Sequence, residues 1–357
     1  MKRVLGGIAV AAVCLIFAAG AIAQQPVFTK FDVPGAGSGA DQGTLAFSIS
    51  TAGSIAGYYY DSDSISHGFL RAASGTIATL DAPGAEGTFA LSINDTGAIA
   101  GWFYDANYLS HGFVRAVSGA VTTFDAPGAG TGINEGTMAA AINAAGVITG
   151  YYLDASNVYH GFVRDADGTI VTFEAPGAGT GDFQGTLAFG INTAGTIAGA
   201  YVDAAGLNHG YVRSADGVIT TFDAPGTGNT GTYGRCINTA GTIAGYYSDA
   251  TDLYHGFTRA ASGAITTFEA PNAGTSPLQG TMPYGINTAG VITGRYLLWN
   301  DFNHGFLRAA SGPIGTFEEP AACKTCVTIP ESINTAGEIA GYFSEPGAGY
   351  SGFMLTP

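Results

Sequence analysis

The chain has 357 residues, a formal net charge of −15, 11% charged and 11% aromatic residues, and 56 glycines. Low charge with many aromatic and β-branched residues excludes a disordered chain, and the glycines point to many turns. The acidic balance excludes nucleic-acid backbones and anionic lipid surfaces as partners, and leaves cations and neutral glycans.

The chain opens "MKRVLGGIAVAAVCLIFAAGAIAQQ". Lys2 and Arg3 form a basic n-region, an apolar run follows from Val4, and Ala21-Ile22-Ala23 fits the small-residue rule for signal-peptidase cleavage. We read residues 1–23 as a signal peptide and 24–357 as the mature domain. Losing Lys2 and Arg3 takes the net charge from −15 to −17. An uncleaved anchor is the alternative, since the run nearly spans a bilayer. Cys14 follows Val13, where a lipoprotein signal needs a small residue. The expectation is a secreted, periplasmic or extracellular protein with no membrane span after cleavage.

Next comes "FTKFDVPG", and from there the chain repeats itself. Phe-Asp/Glu-x-Pro recurs from Phe31, Leu80, Phe124, Phe173, Phe222, Phe268 and Phe317. Ile-Asn-x-x-Gly recurs from Ile93, Ile142, Ile191, Ile237, Ile286 and Ile333, with "ISTAG" at Ile49. A Gly opening "GYY" or a relative follows each Ile by 8 residues, and a His-Gly-aromatic slot follows that Gly by 10. Only the segment from the Phe or Leu to the next Ile varies, between 13 and 18 residues. Constant spacing elsewhere is what paired strands of fixed register require.

Each copy holds four strand-like runs. In the fourth they are "GTLAFGIN", "TIAGAYV", "HGYVR" and "VITTFDA", bounded by Gly, Asn, Asp and Pro. A lone meander cannot cover its own faces. Four-strand repeats of this length predict an all-β fold, a seven-bladed β-propeller with four-stranded antiparallel blades. Gly- and Ala-rich early strands fit the axis, and bulkier late strands fit the widening wedge. The chain ends in "ESINTAGEIAGYF…SGFMLTP", three strands without a fourth. The N-terminal strand is expected to complete that blade and close the ring.

These phrases, "HGF", "INxxG", "GYY" and "FDxPGA", resemble those of the bacterial extracellular repeats called the HAF family, over about residues 27–357. The defining tripeptide here reads His-Gly-Phe rather than His-Ala-Phe. The resemblance implies secretion and a repeat architecture, and it implies no catalytic residues.

All six histidines, His67, His111, His160, His209, His255 and His304, occupy the same repeat slot. Six residues before them stand Asp61, Asp105, Asp154, Asp203 and Asp249, with Leu298 in the sixth copy. The hairpin should bring Asp and His together, so we read both as structural. Slots on separate blades are too far apart to share one metal ion, so no metal site is expected. The acid of Phe-Asp/Glu-x-Pro reads as a turn device capping backbone N–H groups. Its sharper alternative is an acidic face attracting Ca²⁺. Otherwise no cofactor motif is present.

Cys323 and Cys326 form "CKTC", expected as a local disulfide in an oxidising compartment. Cys236 is left as a buried thiol. Trp102, Arg235, Arg295 and Trp299 depart from the repeat. Trp299 beside Asn300 and Asp301 would suit stacking on a sugar, and Arg295 would reach the central channel. These six are the ligand-binding candidates, on the face that carries the variable loops. The function read from the sequence is a non-enzymatic binding or scaffold module for an extracellular glycan, envelope component or protein. The alternative is a polysaccharide lyase or hydrolase working in the axial pocket.

Overall fold

In the computed structural model, residues 26–298, 302–318 and 326–357 are described. The predicted signal peptide and Trp299, Asn300, Asp301 and Cys323 lie outside them. The described chain is all β, with 28 strands. Strand β1 spans Val27–Phe31, β2 Gly43–Ile49, β3 Ile55–Tyr60, β4 Ser66–Arg71 and β5 Ile77–Leu80.

Strands β2 to β5 pair in sequence as an antiparallel meander, which we call unit 1. The same four-strand pattern recurs over residues 87–124, 136–173, 185–222, 232–268 and 280–317, units 2 to 6. Residues 327–356 supply three strands of a further unit, and β1 adds the fourth. Its register runs from Val27 opposite Thr356 to Phe31 opposite Gly352. Single parallel bridges, such as Gly43 to Tyr350 and Gly185 to Tyr159, join some neighbours into sheets of eight, twelve and eight strands.

The apolar core lies between units rather than within them. Ala56 of unit 1 is buried with Ile93, Ile99 and Phe113 of unit 2. Ala340, near the chain's end, is buried with Ile49, Ile55 and Phe69 of unit 1, together with Phe31. The last-strand Phe of one unit also meets the third strand of the next, edge to face. Phe124–Phe162, Phe173–Tyr211 and Phe222–Phe257 have ring centroids 6.0, 6.1 and 5.9 Å apart. Phe31 makes the equivalent contact with Phe69, at 6.0 Å.

Arginines at the end of the third strand stack on the same rings. Arg164, Arg213, Arg259 and Arg308 lie 4.7–4.9 Å over Phe124, Phe173, Phe222 and Phe268. Arg71 lies 5.0 Å over Phe31. Where the preceding unit carries Leu80, Arg115 is less buried than Arg71, Arg164 and Arg259.

At the innermost turn, each Asn of Ile-Asn-x-x-Gly reaches the next unit. The Nδ2 groups of Asn94, Asn143, Asn192, Asn238 and Asn287 donate to the following unit's Asn carbonyl at 2.9–3.1 Å. Asn334 donates to the Ser50 carbonyl at 3.0 Å. Ser50 has no amide to pass on. In its place, Thr51 donates from N and Oγ1 to Asp95 Oδ1, at 2.8 and 2.5 Å.

Every first strand is bulged, as at Ala46/Ser48 and Gly234/Cys236. The bulge lets the Gly of the second strand approach a carbonyl. A Cβ at Gly245 would lie 2.0 Å from the Tyr233 oxygen. We therefore expect Gly245→Ala to destabilise by about 3 kcal/mol or more in urea unfolding. Gly347→Ala, at φ +79° but with open space around it, should cost only about 1 kcal/mol.

Candidate functional site

A β-bulge sets two consecutive residues against one partner and re-aims their side chains. The bulged positions of all the units face one shared cavity of 240 Å³, whose lining runs from Phe47 and Ser48 to Glu331 and Ser332. Isoleucines such as Ile142 and Ile237 separate it from a second cavity of 260 Å³ among the asparagine turns. The first bulge position reads Phe47, Leu91, Ala140, Phe189, Arg235, Tyr284 and Glu331. Within otherwise uniform strands, this one position changes chemistry from unit to unit.

Arg235 lies 4.8 Å over the Phe189 ring and 5.5 Å over Tyr284. Arg295, on the second strand of unit 6, lies 5.4 Å over the same Tyr284 ring. The Nε of Arg295 is buried and has no hydrogen-bond partner. Glu331 is hydrogen-bonded to the Tyr342 side chain. Burial pushes the Glu331 carboxyl up to about 7, against the pull of Arg235 and Arg295. Burial also opposes the charge on Arg235, but Tyr246, Tyr284 and Glu331 outweigh it and raise that guanidinium above its ordinary value.

Aromatic rings continue the wall. Tyr342, Phe47 and Tyr58 stack in turn, with centroids 6.0 and 5.1 Å apart. Tyr58 meets Phe89 at 4.9 Å, and Phe89 stacks on Trp102 at 4.2 Å. Trp102 and Tyr151 also line a cleft of 510 Å³ between units 2 and 3, with Tyr104, Tyr108, Tyr159 and Phe183. The expectation of a small-residue axis is thus corrected. Gly and Ala hold the close backbone approaches, while the bulge and its neighbours carry large side chains.

Of the six ligand candidates, Arg235 and Arg295 converge on Tyr284, and Trp102 joins the ring chain. Trp299, Asn300 and Asp301 lie outside the described residues. The sequence reading missed Glu331, Tyr284, Phe189 and Phe47. Their signal was available as the position two residues before each Ile-Asn, the least uniform column of the first strand.

The histidine slots lie apart from this channel. Each described His contacts the acid of Phe-Asp/Glu-x-Pro through Nδ1. His67 reaches Asp81 at 3.1 Å, His111 reaches Asp125 at 2.9 Å, His209 reaches Asp223 at 2.9 Å and His304 reaches Glu318 at 2.8 Å. His160 and His255 pair with Glu174 and Glu269. The strand-two aspartates are second partners. Asp61, Asp154, Asp203 and Asp249 lie 3.2–3.4 Å from Nε2 of their histidines, and Asp105 lies 3.9 Å from His111. Each imidazole also packs against an aromatic ring, as His160 does on Tyr152 at 4.8 Å.

The acid of Phe-Asp/Glu-x-Pro is therefore not the backbone cap. The N–H of the residue after the acid is capped by the first-strand Thr of the next unit, as Ala126 N by Thr137 Oγ1 at 2.9 Å and Val33 N by Thr44 at 2.9 Å. The strand-two aspartates do cap their own loops. Asp154 Oδ1 accepts from the backbone N–H groups of Ser156 and Val158. Among the described residues, no group of three or more His, Cys, Asp or Glu is placed to hold a metal ion. Cys326 is disulfide-bonded. Cys236 is free, and burial pushes its thiol up to about 12. Among the described residues no helix is long and apolar enough to cross a membrane.

No family model matches the chain, and no curated protein matches it. Solved structures do. The virginiamycin B lyase from Staphylococcus aureus aligns with a TM-score of 0.56 at 16% identity, over 93% of this chain and 100% of that one. A prolyl endopeptidase aligns at 0.57 and 8% identity, over 86% of this chain and 46% of that one. A puromycin hydrolase mutant complexed with PGG aligns at 0.55 and 11%, over 87% and 51%. The fold is β-propeller-like. The chain spans about half the length of those two hydrolytic enzymes, and at these identities the likeness carries the fold alone.

Glu331 gives the site a pH signature. Its folded value of about 7 exceeds its ordinary 4.5, so folding favours the protonated form. The Glu331 contribution to stability should therefore be greatest below about pH 4.5 and fall as pH rises through 7, by at most about 3 kcal/mol. Glu331→Gln should remove that slope in urea titrations across the same interval.

Proposed function

We propose that this chain is a secreted binding module, a seven-bladed β-propeller closed by its N-terminal strand, which holds a ring-bearing extracellular ligand in its axial channel. Closure is supported by Phe31, Arg71 and Asn334. Each repeats, across the junction of chain ends, the contact its equivalents make between successive units. Secretion is supported by the basic-apolar-small pattern of residues 1–23.

The observation that carries the site is convergence. Arg235, Tyr284 and Glu331 break the repeat in one cavity, and Arg295 lies 5.4 Å over the Tyr284 ring that lines it. A repeat protein gains nothing in packing from buried charges there, whereas a ligand gains directional contacts. The aromatic chain from Tyr342 to Trp102 and the adjoining cleft offer flat faces suited to sugar or aromatic rings. The variable loops would then shape the approach to the ligand.

A second reading keeps the same cavity and adds chemistry. Glu331, held near neutrality beside Arg295 and Tyr342, has the character of a general acid or base for a polysaccharide lyase or hydrolase. Turnover of acidic and neutral polysaccharides that disappears in Glu331→Gln would establish it.

Two outcomes test the main reading. Removing residues 24–31 should lower unfolding stability by about 3 kcal/mol or more, because Phe69 and Arg71 lose their partner ring. Ala140→Trp, which fills the cavity from unit 3, should abolish ligand retention on a glycan and small-molecule array. Unchanged retention would remove the channel from consideration.

A further inference from the structure

The mature surface is strongly acidic, yet the channel is not. Its described lining holds Arg235 and a single carboxylate, Glu331, and Arg295 lies over the lining ring of Tyr284. Both guanidinium groups lie over Tyr284, 5.5 and 5.4 Å from its ring centroid. Stacking leaves the guanidinium edge free to donate to an anion. Arg295 Nη2 donates to Met282 Sδ at 3.9 Å, and its Nε, like those of Arg71, Arg164, Arg213, Arg259 and Arg308, is buried without an acceptor, and a buried donor without a partner is costly. The acids of Phe-Asp/Glu-x-Pro are held by the histidine slots, as Asp81, Asp125 and Asp223 are. A cavity of 240 Å³ is smaller than the roughly 300–1,000 Å³ of drug-sized sites, so the occupant carries little beyond one ring.

Resting on the channel reading above, we infer that the ligand is a small ring-bearing carboxylate, bound with its anion between Arg235 and Arg295 and its ring against the aromatic wall, and that Glu331 is the internal anion it displaces, with a proton taken up by Glu331 from solvent. The groups facing Glu331 come from several units: Tyr58, Arg235, Tyr284, Arg295 and Tyr342. None of the tyrosines ionises near neutrality, because burial raises Tyr58, Tyr284 and Tyr342 well above the ordinary phenol value. Burial opposes the charge on Arg235, but Tyr246, Tyr284 and Glu331 hold it above its ordinary value. Glu331 is thus the one group in that set whose charge changes in the physiological range. Protonating it leaves both guanidinium groups uncompensated and strengthens their hold on an anion. Ionised, it competes for the same donors. Ligand uptake and proton uptake are therefore linked with the same sign.

The probes are benzoate and glucuronate, with benzamide and glucose as their uncharged counterparts, and the readout is calorimetric affinity with the mature chain. Carboxylates should bind about tenfold or more tightly at about pH 5 than at about pH 9, on either side of the Glu331 transition. Arg295→Met should weaken binding about tenfold or more, Arg295→Lys should restore part of it, and Glu331→Gln should abolish the pH dependence. Preference for benzoate over glucuronate would identify an aromatic acid, and the reverse a sugar acid. Equal binding of the uncharged probes, with loss in Ala140→Trp, would overturn the anion inference and leave the channel reading standing. Carboxylate binding that survives Ala140→Trp would overturn both. Failure of both carboxylates to bind the folded wild-type chain would overturn the inference alone.

Discussion

The structure depends on a side chain reaching sideways. Each innermost Asn uses Oδ1 to hold its own turn and Nδ2 to hold the next unit's carbonyl, as Asn143 does with Val147 and Asn192. These amides are buried, so an unmade bond would leave a desolvated donor. One residue thereby fixes both the local turn and the spacing between neighbours. With that spacing fixed, the bulge two residues earlier must fall at the same height in every unit. A common cavity is the consequence.

A second layer of coupling lies farther out. The Phe of one unit packs edge to face on the next and carries the next unit's arginine. Guanidinium groups on aromatic faces tolerate burial better than ammonium groups, being weakly hydrated and planar. This allows cations inside a sparsely charged chain without matching anions. Burial lowers the ionisation of Arg71, Arg259 and Arg308, the expected sign for cations in a partly dry setting. Charge is used differently at the loop edge. There the histidines are clasped by carboxylates from the second and fourth strands, tying each hairpin pair into one block.

The strands were legible because their spacing admits no slippage. The fourth copy's runs correspond to Gly185–Ile191, Ile197–Val202, Asn208–Arg213 and Ile219–Phe222. The partnership of Asp154 with His160 was legible from the hairpin offset. The partnership of His160 with Glu174 was not, because it joins two sequence landmarks that each had a local explanation. The channel was legible only in part. Arg235 and Arg295 stood out as singular residues, but Phe47 and Phe189 look like ordinary strand aromatics until the bulge reveals their direction. A bulge leaves no composition of its own in a Gly- and Ala-rich strand, so periodicity alone assigns those side chains to the wrong face.

The choice between the loop face and the channel turns on what symmetry can explain. Variable loops vary in length as connecting segments on a surface are expected to. The bulge position varies under a stricter condition. It is enclosed by neighbours from every unit, and its occupants include an arginine, Arg235, and a carboxyl, Glu331, whose burial opposes their charged forms. An apolar residue at Glu331 would remove a buried charge at no loss of backbone geometry. Its presence there conflicts with local stability, in a fold whose other positions agree closely with one another. Such conflicts mark functional sites more reliably than tolerated variation does, and here the conflicting groups share one cavity.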